Sequence, residues 1–241
     1  MESKKQELKL NLKYLLIVFV LAYFASASQN NAQKIKKTFG SKNYQLTIDE
    51  INSIASSEIH FDSILYLKAY SQIKLNQFKE ANITISQLQQ INPNYYELYF
   101  LKGLVFAIKE KYPDAIANFN KVVDANSNHE KALYNRALAK GLLEDFTSAI
   151  KDLDKCIAIN PNYGMAFYNR GYWHEQSENY TSAIIDYKKA ISIDQHYTEA
   201  YIALAYAHFQ TGDKSNACET LNAAKTEGIE IANDIIQEFC K

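Results

Sequence analysis

The chain has little that breaks or crosslinks a polypeptide. Among 241 residues only 7 are Gly and 3 are Pro, too few for a many-turned β-sandwich or a Gly-rich nucleotide loop. Cysteine occurs three times, which excludes a disulfide-built scaffold. Neither charge sign dominates: 26 Lys and Arg stand against 27 Asp and Glu, a net charge of -1, so the clustered cations of a dedicated nucleic-acid binder are missing. Catalytic signatures are missing too. There is no C-x-x-C, no G-x-S-x-G and no Walker loop, and the five His (His60, His129, His174, His196, His208) form neither H-x3-H nor H-E-x-x-H. No cofactor, metal or small-molecule substrate is expected, and the chain is read as non-enzymatic. What is abundant is apolar and aromatic: 47% of residues are hydrophobic, with 18 Tyr. The balance suits a soluble, all-helical protein.

The basic character is confined to one end. Residues 1–37 hold seven Lys against two Glu, which leaves -6 from Thr38 onward. An apolar run, Tyr14 to Ala25 (YLLIVFVLAYFA), follows the first four Lys and gives way to small and polar residues, Ser26 to Ala32. A basic start, a short apolar core and a small-residue exit form the pattern of a secretory signal peptide (1–27), with cleavage after Ala27 or, alternatively, after Ala32. A membrane-spanning helix needs roughly 20 apolar residues, and this run is shorter. The competing reading is an uncleaved short anchor. The protein is expected to be exported, periplasmic or secreted; the alternative is anchorage by the N-terminal segment, the one part expected to touch a membrane.

The strongest signal is self-similarity. Ala81, Ala115, Ala149, Ala183 and Ala217 recur at one constant interval. Twelve residues before each stands a small residue: Ala69, Gly103, Ala137, Gly171, Ala205. Four after each stands a bulky one: Ile85, Phe119, Leu153, Tyr187, Leu221. The period defines five gapless units, 62–95, 96–129, 130–163, 164–197 and 198–231. Asn76, Lys111-Tyr112-Pro113, Asp145, Glu178-Asn179 and Gly212-Asp213 mark tight turns within them. Residues 28–61 are read as a linker, over 33–46, and an N-terminal capping helix near 47–58. Residues 229–240 have apolar spacing that suits a C-terminal capping helix.

This pattern resembles the tetratricopeptide repeat family, a 34-residue helix-turn-helix with large, small, Ala, aromatic and Pro at set places. The match is close at 164–197: Phe167, Gly171, Ala183, Tyr187, Ala190. The resemblance implies an all-α, right-handed α-solenoid of five helix-turn-helix units that binds a protein or peptide partner. It departs from the family at the seventh repeat position, where Lys68, Lys102, Arg136 and Arg170 replace an apolar residue. Asp152 and Asp186 lie sixteen residues after the two Arg, so each pair is expected to form an ion pair between the helices of its unit.

The family's concave surface is lined by set positions of the first helix of each unit. Carried over residue by residue, they give Tyr66, Tyr70, Phe100, Leu104, Tyr134, Asn135, Leu138, Tyr168, Asn169, Tyr172 and Tyr206. These make an aromatic, nearly uncharged groove for a partner segment; the competing reading has some of these rings packing between repeats. The cations with which chaperone-binding relatives clamp an acidic chain end are missing: of Phe100, Leu104, Asn135, Met165 and Asn169, only Asn135 fits. The alternative to a groove binder is a structural or assembly component of the cell envelope, acting through convex or terminal faces. His174 and His208 share one repeat position and are read as packing residues.

Cys156 falls at a small packing position and is expected to be a buried thiol. Cys218 and Cys240 stand at nearly equal sequence distances on either side of the turn near Gly228. In a helix hairpin the two come level to within about 3 Å, and a disulfide between them is expected; two unrelated thiols are the alternative.

Overall fold

In a computed structural model of the chain, residues 29–54 and 62–230 are described, with Ile236 and Cys240. The signal-peptide segment and most of the expected capping helix lie outside them. The described residues form helices and turns with no strand: α1 (29–40), α2 (Tyr44–Ser53), α3 (Asp62–Lys74), α4 (Phe78–Ile91), α5 (Glu97–Ile108), α6 (Tyr112–Ala125), α7 (Glu130–Gly141), α8 (Phe146–Ile159), α9 (Gly164–Gln176), α10 (Tyr180–Ile193), α11 (Thr198–Gln210) and α12 (Lys214–Thr226). They fall into two compact units, one ending at Leu101 and one beginning at Lys102. In the second unit each helix from α6 onward packs on the next, and α9 touches α7 and α11.

One turn design recurs. Lys42, Asn76, Glu110, Glu144, Glu178 and Gly212 follow one another at the repeat interval, and all have φ between 56° and 76°. The following residue sends its N–H back five residues: Asp145 N to Lys140 O at 3.0 Å, Asn179 N to His174 O at 2.8 Å, Asp213 N to His208 O at 2.9 Å. This closes the first helix with a left-handed cap. The same residue then starts the second helix, where the side chains of Asp145, Asn179 and Asp213 accept from the backbone N–H three residues on. Pro113 belongs to the first turn of α6 and not to the loop as expected, because proline's fixed φ suits a position whose N–H needs no partner.

The periodic residues form the core. Ala81, Ala115, Ala149, Ala183 and Ala217 are fully buried, as are Phe119, Leu153, Tyr187 and Leu221. The glycines make room for rings: a Cβ on Gly171 would lie 2.8 Å from the Tyr187 ring, and one on Gly103 would overlap Phe119. Small-against-large packing thus sets the approach of the two helices in each hairpin.

The linker expected over 33–46 is instead ordered structure. Ile35 on α1 is buried to 1% and packs with Ile51 and Ile64, and α2 starts at Tyr44. Ile35, Thr47 and Ile51 lie one full period before Ala69, Ala81 and Ile85, and all three are buried. The hairpin α1–α2 therefore continues the period toward the N-terminus. At the other end Ile236 packs on Tyr201, Ala224 and Ile229. Cys240 is bonded to Cys218 with Cα atoms 5.6 Å apart.

Candidate functional site

Two arginines of the second unit, Arg136 and Arg170, are tied into ion pairs within the solenoid. Arg136 grips Asp152 with two donors at 2.8 and 2.7 Å and gives a third to Asn120 at 2.8 Å. Lys140 adds a bond to Asp152 at 2.7 Å. Arg170 repeats the grip on Asp186 at 2.9 and 2.6 Å and reaches Asp154 at 2.6 Å. Each Arg on a first helix thus joins the second helix of its own hairpin to that of the hairpin before. The expected pairs are present, and they extend one repeat further than the spacing showed. The carboxylates raise the Arg170 pKa, its bond to Asp186 being the main cause. Such two-pronged contacts fix orientation as well as energy.

With these ions absorbed, the face carried by α7, α9 and α11 is aromatic and amide-rich. Tyr134 packs on Tyr163 with ring centroids 5.0 Å apart, and Tyr168 packs on Tyr197 at 4.9 Å. Asn169 donates to the Tyr134 hydroxyl at 3.0 Å and to the Met165 carbonyl at 2.7 Å. Asn135 donates to the Lys131 carbonyl at 2.7 Å. Burial pushes the Tyr134 phenol up to about 12, against a smaller opposing effect of Asn169, and burial raises Tyr168 as well. These phenols stay neutral across the physiological range. Above this layer Met165, Tyr172 and Tyr206 are exposed, at 46%, 37% and 46%. The Tyr172 ring lies 4.8 Å from that of Trp173.

The structure sorts the expected groove residues. Tyr134, Asn135, Leu138, Tyr168, Asn169, Tyr172 and Tyr206 occupy the three neighbouring first helices of the second unit, and Leu104 is half-buried on α5. Tyr66 and Tyr70 belong to the first unit. There they join a ring cluster with Phe39, Tyr44 and Tyr95 at centroid distances of 5.4 to 6.3 Å. Phe100 is a correction: at 1% exposure it is core and offers no surface. A ring at that repeat position packs inward when no polar tip draws it to water. Spacing alone does not single out Tyr95, Tyr163 and Tyr197, which close the units 62–95, 130–163 and 164–197 and pack on the first-helix tyrosine of each; their shared repeat position is the available signal. His174 is half-buried and His208 fully buried. Burial lowers both pKa values. Cys156 is a buried free thiol, pushed up to about 12 by burial. Among the described residues no group of His, Cys, Asp and Glu is placed to hold a metal, and no helix is long and apolar enough to cross a membrane.

Helix hairpins repeated in register and joined by identical turns define the α-solenoid class. The tetratricopeptide repeat family matches residues 130–163, 166–197 and 198–226, so the hairpins α7–α8, α9–α10 and α11–α12 are tetratricopeptide repeats. Solved structures agree on the fold. PilW, a widely conserved type IV pilus biogenesis factor, superposes with a TM-score of 0.73 over 83% of this chain and 93% of its own, at 16% identity. MamA gives 0.62 over 68% and 96%, at 23% identity. YrrB, described as a TPR protein with an unusual peptide-binding site, gives 0.58 over 68% and 85%, at 18% identity. No curated protein matches the sequence.

Proposed function

We propose that this chain is a non-enzymatic scaffold that holds a segment of a protein partner on the first-helix face of α7, α9 and α11. The observation that carries the reading is the exposed pair Tyr172 and Tyr206, set one repeat apart over a rigid layer of paired tyrosines. Rings with a polar tip give large contact area at small entropic cost and are favoured in interfaces. Asn135 and Asn169 keep their amide oxygens for a partner's backbone N–H groups. Two further points support the reading: the neutral phenols, and the tying up of neighbouring Arg and Asp in clamps. YrrB, a protein of the same fold, is described with a peptide-binding site. The compartment proposed is an oxidising one outside the cytoplasm. The Cys218–Cys240 bond fits it, as does the leader-like N-terminus.

A second reading has its own observation. Ile185, on the second helix α10, is 64% exposed and would serve assembly through the second-helix face of the second unit. Replacing Tyr172 and Tyr206 together by Asp separates the two. The groove reading expects loss of partner recovery, with Ile185→Asp behaving as wild type. Recovery unchanged by the Tyr pair and lost with Ile185→Asp refutes it.

A further inference from the structure

In the middle of the second unit the space between neighbouring second helices is filled by the chain itself. Arg170 lies there between Asp154 and Asp186, 5.6 Å over the Phe167 ring. One repeat later every member of that arrangement has changed type. Leu204 stands where Arg170 stood, Thr220 replaces Asp186, and Lys188 replaces Asp154. His208 takes the position at which Lys140 pairs with Asp152. The retyped residues leave a cavity of about 310 Å³, at the small end of the range for ligand pockets. Tyr201, Leu204 and His208 of α11 form its floor. Lys188 on α10 faces Glu219 and Thr220 on α12.

Of its polar lining, Thr220 donates to the Asn216 carbonyl and Asn216 donates to Asp213, which leaves His208, Lys188 and Glu219. His208 is 4% exposed, and neither ring nitrogen makes a hydrogen bond. Its Nδ1 lies 3.5 Å from an Asp213 oxygen that already accepts from Asn216 at 2.6 Å. Burial, reinforced by Lys188, lowers its pKa, so the neutral ring presents one donor and one acceptor. Buried polar groups are normally satisfied, and this ring, packed against the cavity with both nitrogens buried beneath its surface, is not. Lys188 and Glu219 are exposed on opposite walls and form no ion pair with each other. The chemistry offered is a cation and an anion on either side of an apolar floor, with the His208 ring packed against it as a reporter.

We propose that this cavity binds a small zwitterion, an α-amino acid with an apolar side chain. Its carboxylate meets Lys188, its ammonium meets Glu219, and its side chain lies on Tyr201 and Leu204. The site is on the opposite side of α11 from Tyr206 and is separate from the partner-binding face. The probe is L-leucine, titrated into the full chain while the His208 ring resonances are followed by NMR and assigned with His208→Gln. N-acetyl-leucine lacks the ammonium and leucinamide lacks the carboxylate. Leucine should shift His208, and each blocked compound should bind at least about tenfold more weakly. Lys188→Glu and Glu219→Lys should each abolish the response, and the double exchange should restore it. Leu204→Arg with Thr220→Asp and Lys188→Asp rebuilds the clamp of the preceding repeats; it should raise the melting temperature and silence the response. Equal binding of the three compounds overturns the proposal, as does no His208 shift at about 10 mM leucine or a shift that survives in the refilled variant.

Discussion

Arg170→Met separates the two arms of one clamp. The Asp186 side chain is 3% exposed and takes two bonds from Arg170, whereas the Asp154 side chain is 52% exposed and takes one. Methionine keeps the apolar stem and removes the guanidinium, which leaves Asp186 as a buried charge without its partner. Breaking a buried pair from one side costs about 3–5 kcal/mol. Asp154→Ala removes an exposed acceptor and costs under about 1 kcal/mol. At roughly 2–4 °C per kcal/mol for a domain of this size, Arg170→Met should lower the melting temperature by about 10 °C and Asp154→Ala by no more than about 4 °C. Arg170→Met combined with Asp186→Leu removes both charges and should recover most of the loss, since a buried pair replaced by apolar groups is often near neutral. Urea unfolding followed by Trp173, the single Trp, reads all three variants. Equal losses for Arg170→Met and Asp154→Ala would refute the reasoning, as would a double variant no better than Arg170→Met.

Three further perturbations test the packing, the titration and the crosslink. Ala183 is fully buried against Tyr187 and Leu204, so Ala183→Leu should cost about 1–3 kcal/mol by overpacking, measured as a shift in the urea midpoint beside a near-neutral Lys188→Ala control. Burial holds the pKa values of His174 and His208 below 6.5; the unfolded chain then binds more protons just below that pH, so these groups withdraw stability as pH falls from about 7.5 to 5.5. Melting curves across that window should show a smaller loss for His208→Gln than for wild type, and an identical pH dependence would contradict the assignment. Reduction of Cys218–Cys240, which spans 22 residues, should lower stability by about 3 kcal/mol in the chain-entropy model; scans with and without reductant that coincide would show that the crosslink does not restrain the fold.

Much of this fold is legible in the sequence because helix packing here is set by side-chain volume. Alanines at 81, 115, 149, 183 and 217 mark where two helices touch, and the structure buries every one. The α1–α2 hairpin escapes notice for the same reason. Ile35 and Thr47 occupy the positions that elsewhere carry Ala or Gly, so a search for small residues passes over them, although Lys42 takes the same left-handed turn as Asn76. Phe100 and Tyr134 share a repeat position and divide between core and surface, because periodicity fixes a direction and not a depth. The Arg–Asp spacing reveals each ion pair but not its third arm. Asn120 and Asp154 come from the preceding repeat, and only the superposed hairpins bring them within 2.8 Å. The cavity beside His208 arises where this pattern lapses, at Leu204 and Thr220.

The most direct test of the scaffold reading is site-specific photocrosslinking in the native host. A benzophenone amino acid is placed at Tyr172, Tyr206 or Ile185, all exposed. The expected result is one partner adduct shared by positions 172 and 206 and absent at 185. An adduct confined to position 185 would contradict the reading and assign partner contact to the second-helix face.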